Sequence, residues 1–143
     1  MVKIKIDDRD HSILELLREN SRQSVKEIAK NLGMRPSTVH VRIAKLIEHG
    51  VIEKYTLKLN NKAVGEKFIV FVFVSTEKLI DNREFNHPFI KEVFGITGEY
   101  DLILKLKCRD IEDFNKFILD FRKRNDLRKT LTMVATTAIK EEI

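Results

Sequence analysis

Ser37, Thr38, His40, Val41, Arg42 and Lys45 place two hydroxyls, an imidazole, a branched apolar group and two cations on successive turns of one segment, Arg35 to His49. Hydroxyls bond to base edges, a branched side chain packs on thymine methyls, and cations meet phosphates, so the set is suited to a groove of duplex DNA. A solvated helix ordinarily carries Glu and Lys on its outward face, whereas here Ser37, Thr38 and Val41 open that face. Arg35 before it, and Lys54 and Lys58 after it, extend the row of cations. The periodicity alone also fits an ordinary amphipathic helix, so the reading depends on what surrounds the segment.

A second candidate is Thr97, Gly98, Glu99, Tyr100 and Asp101. Gly98 lets backbone approach a ligand closely, Asp101 can accept from an ammonium group, and loop N–H groups can receive a carboxylate. The competing reading is a structural turn in which Gly98 takes a positive φ and Asp101 caps a hairpin. Catalytic chemistry finds little purchase. His11, His40, His49 and His87 show no metal-ligand spacing, there is no cysteine cluster, and no glycine-rich phosphate loop is present. Glu99 and Asp101 are read more economically as loop chemistry than as an acid/base pair. Cys108, the single cysteine, lies in an alternating stretch and reads as a structural thiol in a reducing compartment. No cofactor or metal is expected.

The elements that must position these groups can be read from pattern. In Arg35–His49, Pro36 suits the first helical position, Gly50 follows the last periodic residue, and Val39, Ile43, Leu46 and Ile47 form one stripe for a core. Ser24 and Glu27 stand in capping-box spacing at the start of a shorter helix that ends at Leu32, with Val25, Ile28, Ala29 and Leu32 on one face. Gly33 connects the two, which predicts a helix-turn-helix. Asp7 to Glu19 predicts a third helix, capped by Asp7, with Ile13, Leu14, Leu16 and Leu17 facing inward. After Gly50, VIEKYTLKLN reads as a strand or wing beside the groove.

Charge divides by position. Residues 1 to 65 hold 13 Lys and Arg against 8 Asp and Glu, and residues 66 to 143 hold 14 against 14, so the whole net charge of +5 sits in the first half. Within 35 to 62 there are six basic and two acidic residues, which concentrates positive potential on the segment already suspected. At 43% hydrophobic content the chain can bury a core, no apolar run reaches the ~20 residues needed to span a bilayer, and MVKIKIDDRD lacks the apolar centre of a signal peptide. The expectation is a cytoplasmic protein with no membrane partner.

The second half begins near Gly65. KFIVFVFVST reads as a central strand, and Asp81 to Glu92 as a short helix broken before Pro88. Val93–Thr97 and Asp101–Lys107 read as a hairpin, Ile111–Asn125 as a helix capped by Asp110, and Thr130–Lys140 as a closing strand. The order β-α-β-β-α-β predicts a ferredoxin-like sheet with both helices on one face, giving an α+β chain with domains at 1–50 and 66–143 joined by a wing or linker strand at 51–65. Val70, Val72 and Val74 are expected on the bare face, where a second copy would cover them and form a homodimer. Two-fold recognition helices would then enter successive major grooves ~34 Å apart.

The pairing of IAKNLGMRPSTVHVRIAKLIEHGVIEKYTLKLN with TGEYDLILKLKCRD resembles the Lrp/AsnC, or feast/famine, transcriptional regulators. The resemblance spans nearly the whole chain. It implies an N-terminal winged helix-turn-helix, a linking strand, and a C-terminal domain that dimerises, often assembles into octamers, and responds to an amino acid or related metabolite. It matches Arg42 to the family's recognition-helix arginine, Gly50 to the glycine that ends that helix, and Gly98 and Asp101 to its effector-loop motif. His40 and Val41 depart from the basic residues of many members. Sirohaem decarboxylases, similar proteins that act on a tetrapyrrole, offer an enzymatic alternative in which His87 would matter, but the basic recognition segment argues against a degenerate helix-turn-helix.

Overall fold

The structure, a computed structural model, describes residues 4–142. The chain forms two compact units, Met1–Leu57 and Lys58–Ile143.

The N-terminal unit holds α1 (Asp8–Glu19), α2 (Val25–Leu32) and α3 (Pro36–Glu48). Reciprocal capping boxes start the first two helices: Asp7 and Asp10 exchange bonds with each other's backbone N–H, and so do Ser24 and Glu27. Gly33 ends α2 at φ +60, a left-handed conformation that L side chains resist, which turns the chain into α3 within a few residues. Ile13, Leu17, Ile28, Ala29 and Val39 close the core. Ile47, expected in that core, is 47% exposed. A three-helix core closes over the narrow strip of α3 carrying Val39 and Leu46, so a residue on its shoulder is left in solvent.

Beyond Gly50 the expected wing strand does not form: residues 53–60 carry no regular secondary structure. Tyr55, Leu57 and Leu59 are about half or more exposed. Alternation shows that one side of a strand is apolar, but a strand needs a neighbouring edge for its backbone bonds, and among the described residues no segment pairs with this one.

The C-terminal unit contains β1 (Phe68–Ser75), β2 (Ile90–Gly95), β3 (Leu102–Cys108), α4 (Ile111–Asn125) and β4 (Lys129–Val134). The antiparallel sheet has the order β2-β3-β1-β4, the strand order of a ferredoxin-like fold. Asp110 caps α4, and Phe114, Phe117, Ile118 and Phe121 bury one face of it against Val70, Val72, Val74, Leu104 and Leu106. Those valines are therefore beneath the helix, not on the bare face. The run KFIVFVFVST is apolar on both sides, so its alternation could not say which side meets α4. The open face instead carries Phe71 and Phe73, registered with Lys105 and Ile103 on β3 and with Met133 and Leu131 on β4.

Other elements shift as well. Asp81–Glu92 forms only a 3₁₀ turn, Asn82–Asn86, after which His87 is extended at ψ 138, as the crowding of a following proline requires. β2 consequently starts at Ile90 instead of Val93 and ends at Gly95, before Thr97. β4 stops at Val134, and residues 135–142 continue without regular structure instead of extending the strand to Lys140. Among the described residues, no helix is long and apolar enough to cross a membrane.

Candidate nucleic-acid interface and ligand loop

In the N-terminal unit, Ser37, Thr38, Val41, Arg42 and Lys45 line one groove with Lys5, a concavity of about 550 Å³. Pro36 fixes the first turn of α3 and buried Val39 and Leu46 fix its rotation, so Ser37 and Val41 must face outward, one turn apart. Val41 is 51% exposed, an apolar group in solvent at the centre of the recognition segment. His40 is exposed but lies outside the groove lining. Arg35 is the N-cap of α3 and makes no side-chain capping bond, which leaves the first N–H groups of the helix and its guanidinium on the same end.

Two of the expected DNA contacts are paired with acids of the chain itself. Arg42 Nη1 donates to both oxygens of Asp7 at 2.9 Å and to Asp10 Oδ1 at 2.7 Å. Asp10, then Asp7, raise the guanidinium above its ordinary pKa, and the Asp10 backbone N–H with Arg42 lowers Asp7. A carboxylate in a capping box still has lone pairs to spare, and those of Asp7 and Asp10 are turned toward α3, where they hold the arginine against the protein. Lys58 belongs to the C-terminal unit, where its Nζ lies 3.5 Å from Glu141 Oε2. Lys54 is exposed on the irregular stretch after Gly50.

One further cation, Arg9, was not singled out from the sequence. Arg9 and Ser12 of α1 share a depression of about 360 Å³ with Gly33, Arg35 and Thr38. The available signal was weak: Arg9 sits in an acidic first turn, where it reads as a neutralising charge on a scaffold helix.

In the C-terminal unit, Thr97 to Asp101 lies in the loop joining β2 to β3. Its ends are tied. Ile96 N donates to Asp101 O, Asp101 N to Val74 O, each at 2.9 Å, and Asp101 Oδ2 accepts from Thr76 N at 2.8 Å. Gly98 has φ +116, a backbone that side chains rarely adopt, although no atom would meet a Cβ within 4 Å. Glu99 pairs with Lys129, whose Nζ also lies 5.1 Å from the Tyr100 ring centroid, and Tyr100 packs on Phe73 at 5.7 Å. Glu99, then Tyr100, raise the Lys129 pKa. Lys129 and Thr76 are the residues that pattern reading could not find, because register across β1 and β4, not spacing along the chain, brings them to the loop.

His87 is packed between Phe89 and Phe117, centroids 4.8 and 4.6 Å away, and its Nδ1 accepts from Phe89 N at 3.2 Å. Burial lowers its pKa. That is a core contact with one nitrogen already engaged, and no observation favours a tetrapyrrole site. Cys108 is buried, and desolvation pushes its thiol up to about 11, so it stays protonated. Among the described residues, no group of three His, Cys, Asp or Glu could hold a metal ion.

Residues 6–53 match the winged helix-turn-helix DNA-binding family, and residues 70–143 match the Lrp/AsnC ligand binding domain. A Pyrococcus furiosus protein described as an uncharacterized HTH-type transcriptional regulator is 34% identical, over 96% of this chain and 97% of its own length. The HTH-type transcriptional regulator FL11 of the same organism is 31% identical, over 95% and 93%. Among solved structures, a transcriptional regulator of Neisseria meningitidis in complex with L-Met superimposes with TM-score 0.85 at 26% identity, covering 96% of this chain and 94% of that one.

Proposed function

The chain belongs to the Lrp/AsnC family of DNA-binding transcriptional regulators, and from that premise we propose that it reads a specific duplex sequence through Ser37, Thr38 and Val41, working in the cytoplasm as a homodimer. The observation that carries this reading is the outward face of α3, where a 51% exposed valine stands beside two hydroxyls and within one turn of Lys45. Lys45, Arg35, Arg9 and Lys54 supply phosphate contacts, which give affinity, and the hydroxyls and methyls supply base contacts, which give sequence preference. Arg42 acts by holding α3 against α1.

The open sheet face supports the homodimer. Phe94, Leu131 and Met133 are 57, 38 and 51% exposed, an apolar surface that a second copy would remove from water. Further assembly to octamers rests on the family alone. The ligand class, an amino acid or related metabolite, rests on the family domain and on the L-Met complex of the Neisseria relative. Gly98 in the Thr97–Asp101 loop gives a ligand access to backbone there. One Asp101 oxygen is already engaged with Thr76, so a ligand ammonium would take the other. Such a ligand changes DNA affinity only by binding one arrangement of the protein better than another.

The test is selection of bound fragments from random duplex DNA. Recovery of a two-fold symmetric consensus is the expected result, and recovery of unselected sequence, or of nothing, overturns the reading.

A further inference from the structure

The tail after β4 returns across the Ile69–Lys107 end of the open sheet face, the end away from Phe94 and Leu131, and buries one carboxylate there. Glu141 Oε1 meets the ammonium groups of Lys107 and, at 3.2 Å, Lys105; Oε2 accepts from Asn61 Nδ2 at 2.9 Å and lies 3.5 Å from Lys58 Nζ. Lys105, Lys107 and Glu141 have side chains only 15, 12 and 13% exposed. We infer that Lys58, Asn61, Lys105 and Lys107 form a carboxylate-binding site, separate from the Thr97–Asp101 loop, whose resident occupant is Glu141 and which takes a free short-chain monocarboxylate when the tail lets go.

Three features distinguish this from an ordinary surface ion pair. The donors are divided between the two oxygens, as in a receptor for a carboxylate group. The cage is also held by bonds that do not involve Glu141: Lys105 Nζ donates to Glu92 Oε1 and Lys107 Nζ to Asn61 Oδ1, each at 2.8 Å. Lys105 and Lys107 are two residues apart on β3, so the pleat points both to the same face, and β1 on one side fixes their register. Lys105, Lys107 and Asn61 are therefore held in place without the occupant, leaving two lysines largely withdrawn from water against one remaining acid among the described residues, Glu92. Such cations strongly favour an anion.

The occupant is tethered loosely. Ala135 N donates to Ile69 O at 2.9 Å, and beyond it no backbone bond holds residues 136–142 among the described residues. Beside the cage, Lys58, Lys62, Lys67, Asn60 and Thr136 border an open cleft of about 620 Å³ over Ile69, which gives a free acid an entrance and room for its carbon chain.

The probe is propionate, which reproduces the end of a glutamate side chain, added to full-length Glu141→Gly in a thermal melt with sodium chloride at equal ionic strength as the control. The expected result is a melting temperature several degrees below that of the parent, restored in large part and saturably by propionate and not by chloride. The parent, its site filled, should not respond. Adding Lys107→Met to Glu141→Gly should abolish the rescue. Equal effects of propionate and chloride, an unchanged melting temperature in Glu141→Gly, or rescue that survives Lys107→Met would overturn the site. Should Glu141→Gly not fold, Glu141→Gln, which keeps the side-chain volume, is melted in the same way: a propionate-specific rise supports the site and its absence removes it.

Discussion

Arg42 Nη1 and Asp10 Oδ1 are 2.7 Å apart, and through that bond the recognition helix is fastened to the first turn of α1. Asp10 is simultaneously half of the capping box that starts α1. One carboxylate thus sets both the beginning of the scaffold helix and the docking of the reading helix. Arg42→Ala and Asp10→Ala should each lower the stability of the N-terminal unit, and their double-mutant cycle should give a coupling of about 1.5–3 kcal/mol, the range for bonds to charged groups. The decisive comparison is DNA binding measured well below the melting temperature. Arg42→Ala should lose affinity for all sequences while leaving the salt slope nearly unchanged, because no phosphate contact has been removed. A slope reduced by about one would instead return Arg42 to the phosphate contacts.

Lys45 and Val41 should separate in the opposite manner. Lys45→Ala is expected to weaken binding uniformly and to reduce the salt slope by about one, whereas Val41→Ala should alter preference at one base position by about 1–3 kcal/mol. Gel shifts against the selected site and its single-base variants, at two salt concentrations, distinguish them.

Much of this fold was legible because its local signals agree. Asp7, Ser24 and Asp110 each sit where a cap is needed, and the phenylalanines of α4 recur at helical spacing, so four helices could be placed from sequence with small shifts at their ends. What escaped was information carried by pairing. The exposed alternation of Tyr55, Leu57 and Leu59 promised a strand for which the described residues supply no edge. Val70, Val72 and Val74 were legible as one face but not as the face beneath α4. The same limit applies to the sites: Ser37, Thr38 and Val41 were readable from helical period, while Arg42–Asp10, Lys129–Glu99 and the Glu141 cage join residues 30 or more positions apart.

The loop at Gly98 should be sensitive to geometry before it is sensitive to ligand. With φ at +116, Gly98→Ala is expected to cost about 1–3 kcal/mol despite the open space around a Cβ. Asp101→Ala should free Thr76 N and loosen the end of β1. Calorimetry against the amino acids, with Lys129→Met as a third variant, separates the roles. A ligand lost in Asp101→Ala but kept in Lys129→Met assigns contact to Asp101, while equal loss in both assigns it to the shape of the loop.

The open sheet face gives a prediction about assembly. Met133→Glu sits on β4 opposite Phe71, at a position 51% exposed, so it should barely disturb the fold of one copy. Against a second copy it would bury an unpaired carboxylate. Sedimentation should show the parent as a dimer or larger and Met133→Glu shifted toward monomer at micromolar concentration, with its circular dichroism unchanged. A variant that sediments with the parent would place the contact on another surface.

Acid should act on the C-terminal unit through Glu141. Its contact with Lys107, opposed by burial and reinforced by Asn61 and Lys105, holds the carboxyl down from 4.5 to about 2. Lys58 also faces it, and Glu92, on the far side of Lys105, is the nearest acid in the network. Because the folded value lies below the unfolded one, the unfolded chain takes up the proton first. The contribution of Glu141 is therefore complete above about pH 4.5 and is lost progressively as pH falls toward 2. Asp7, Glu27, Asp81 and Asp113 are lowered too, so the parent alone will not isolate the effect. The informative quantity is the stability difference between the parent and Glu141→Gln across this range. It should be constant above pH 5 and shrink below it, since glutamine carries no proton to gain; a difference that does not change with pH would mean that the tail is held by something other than its carboxylate.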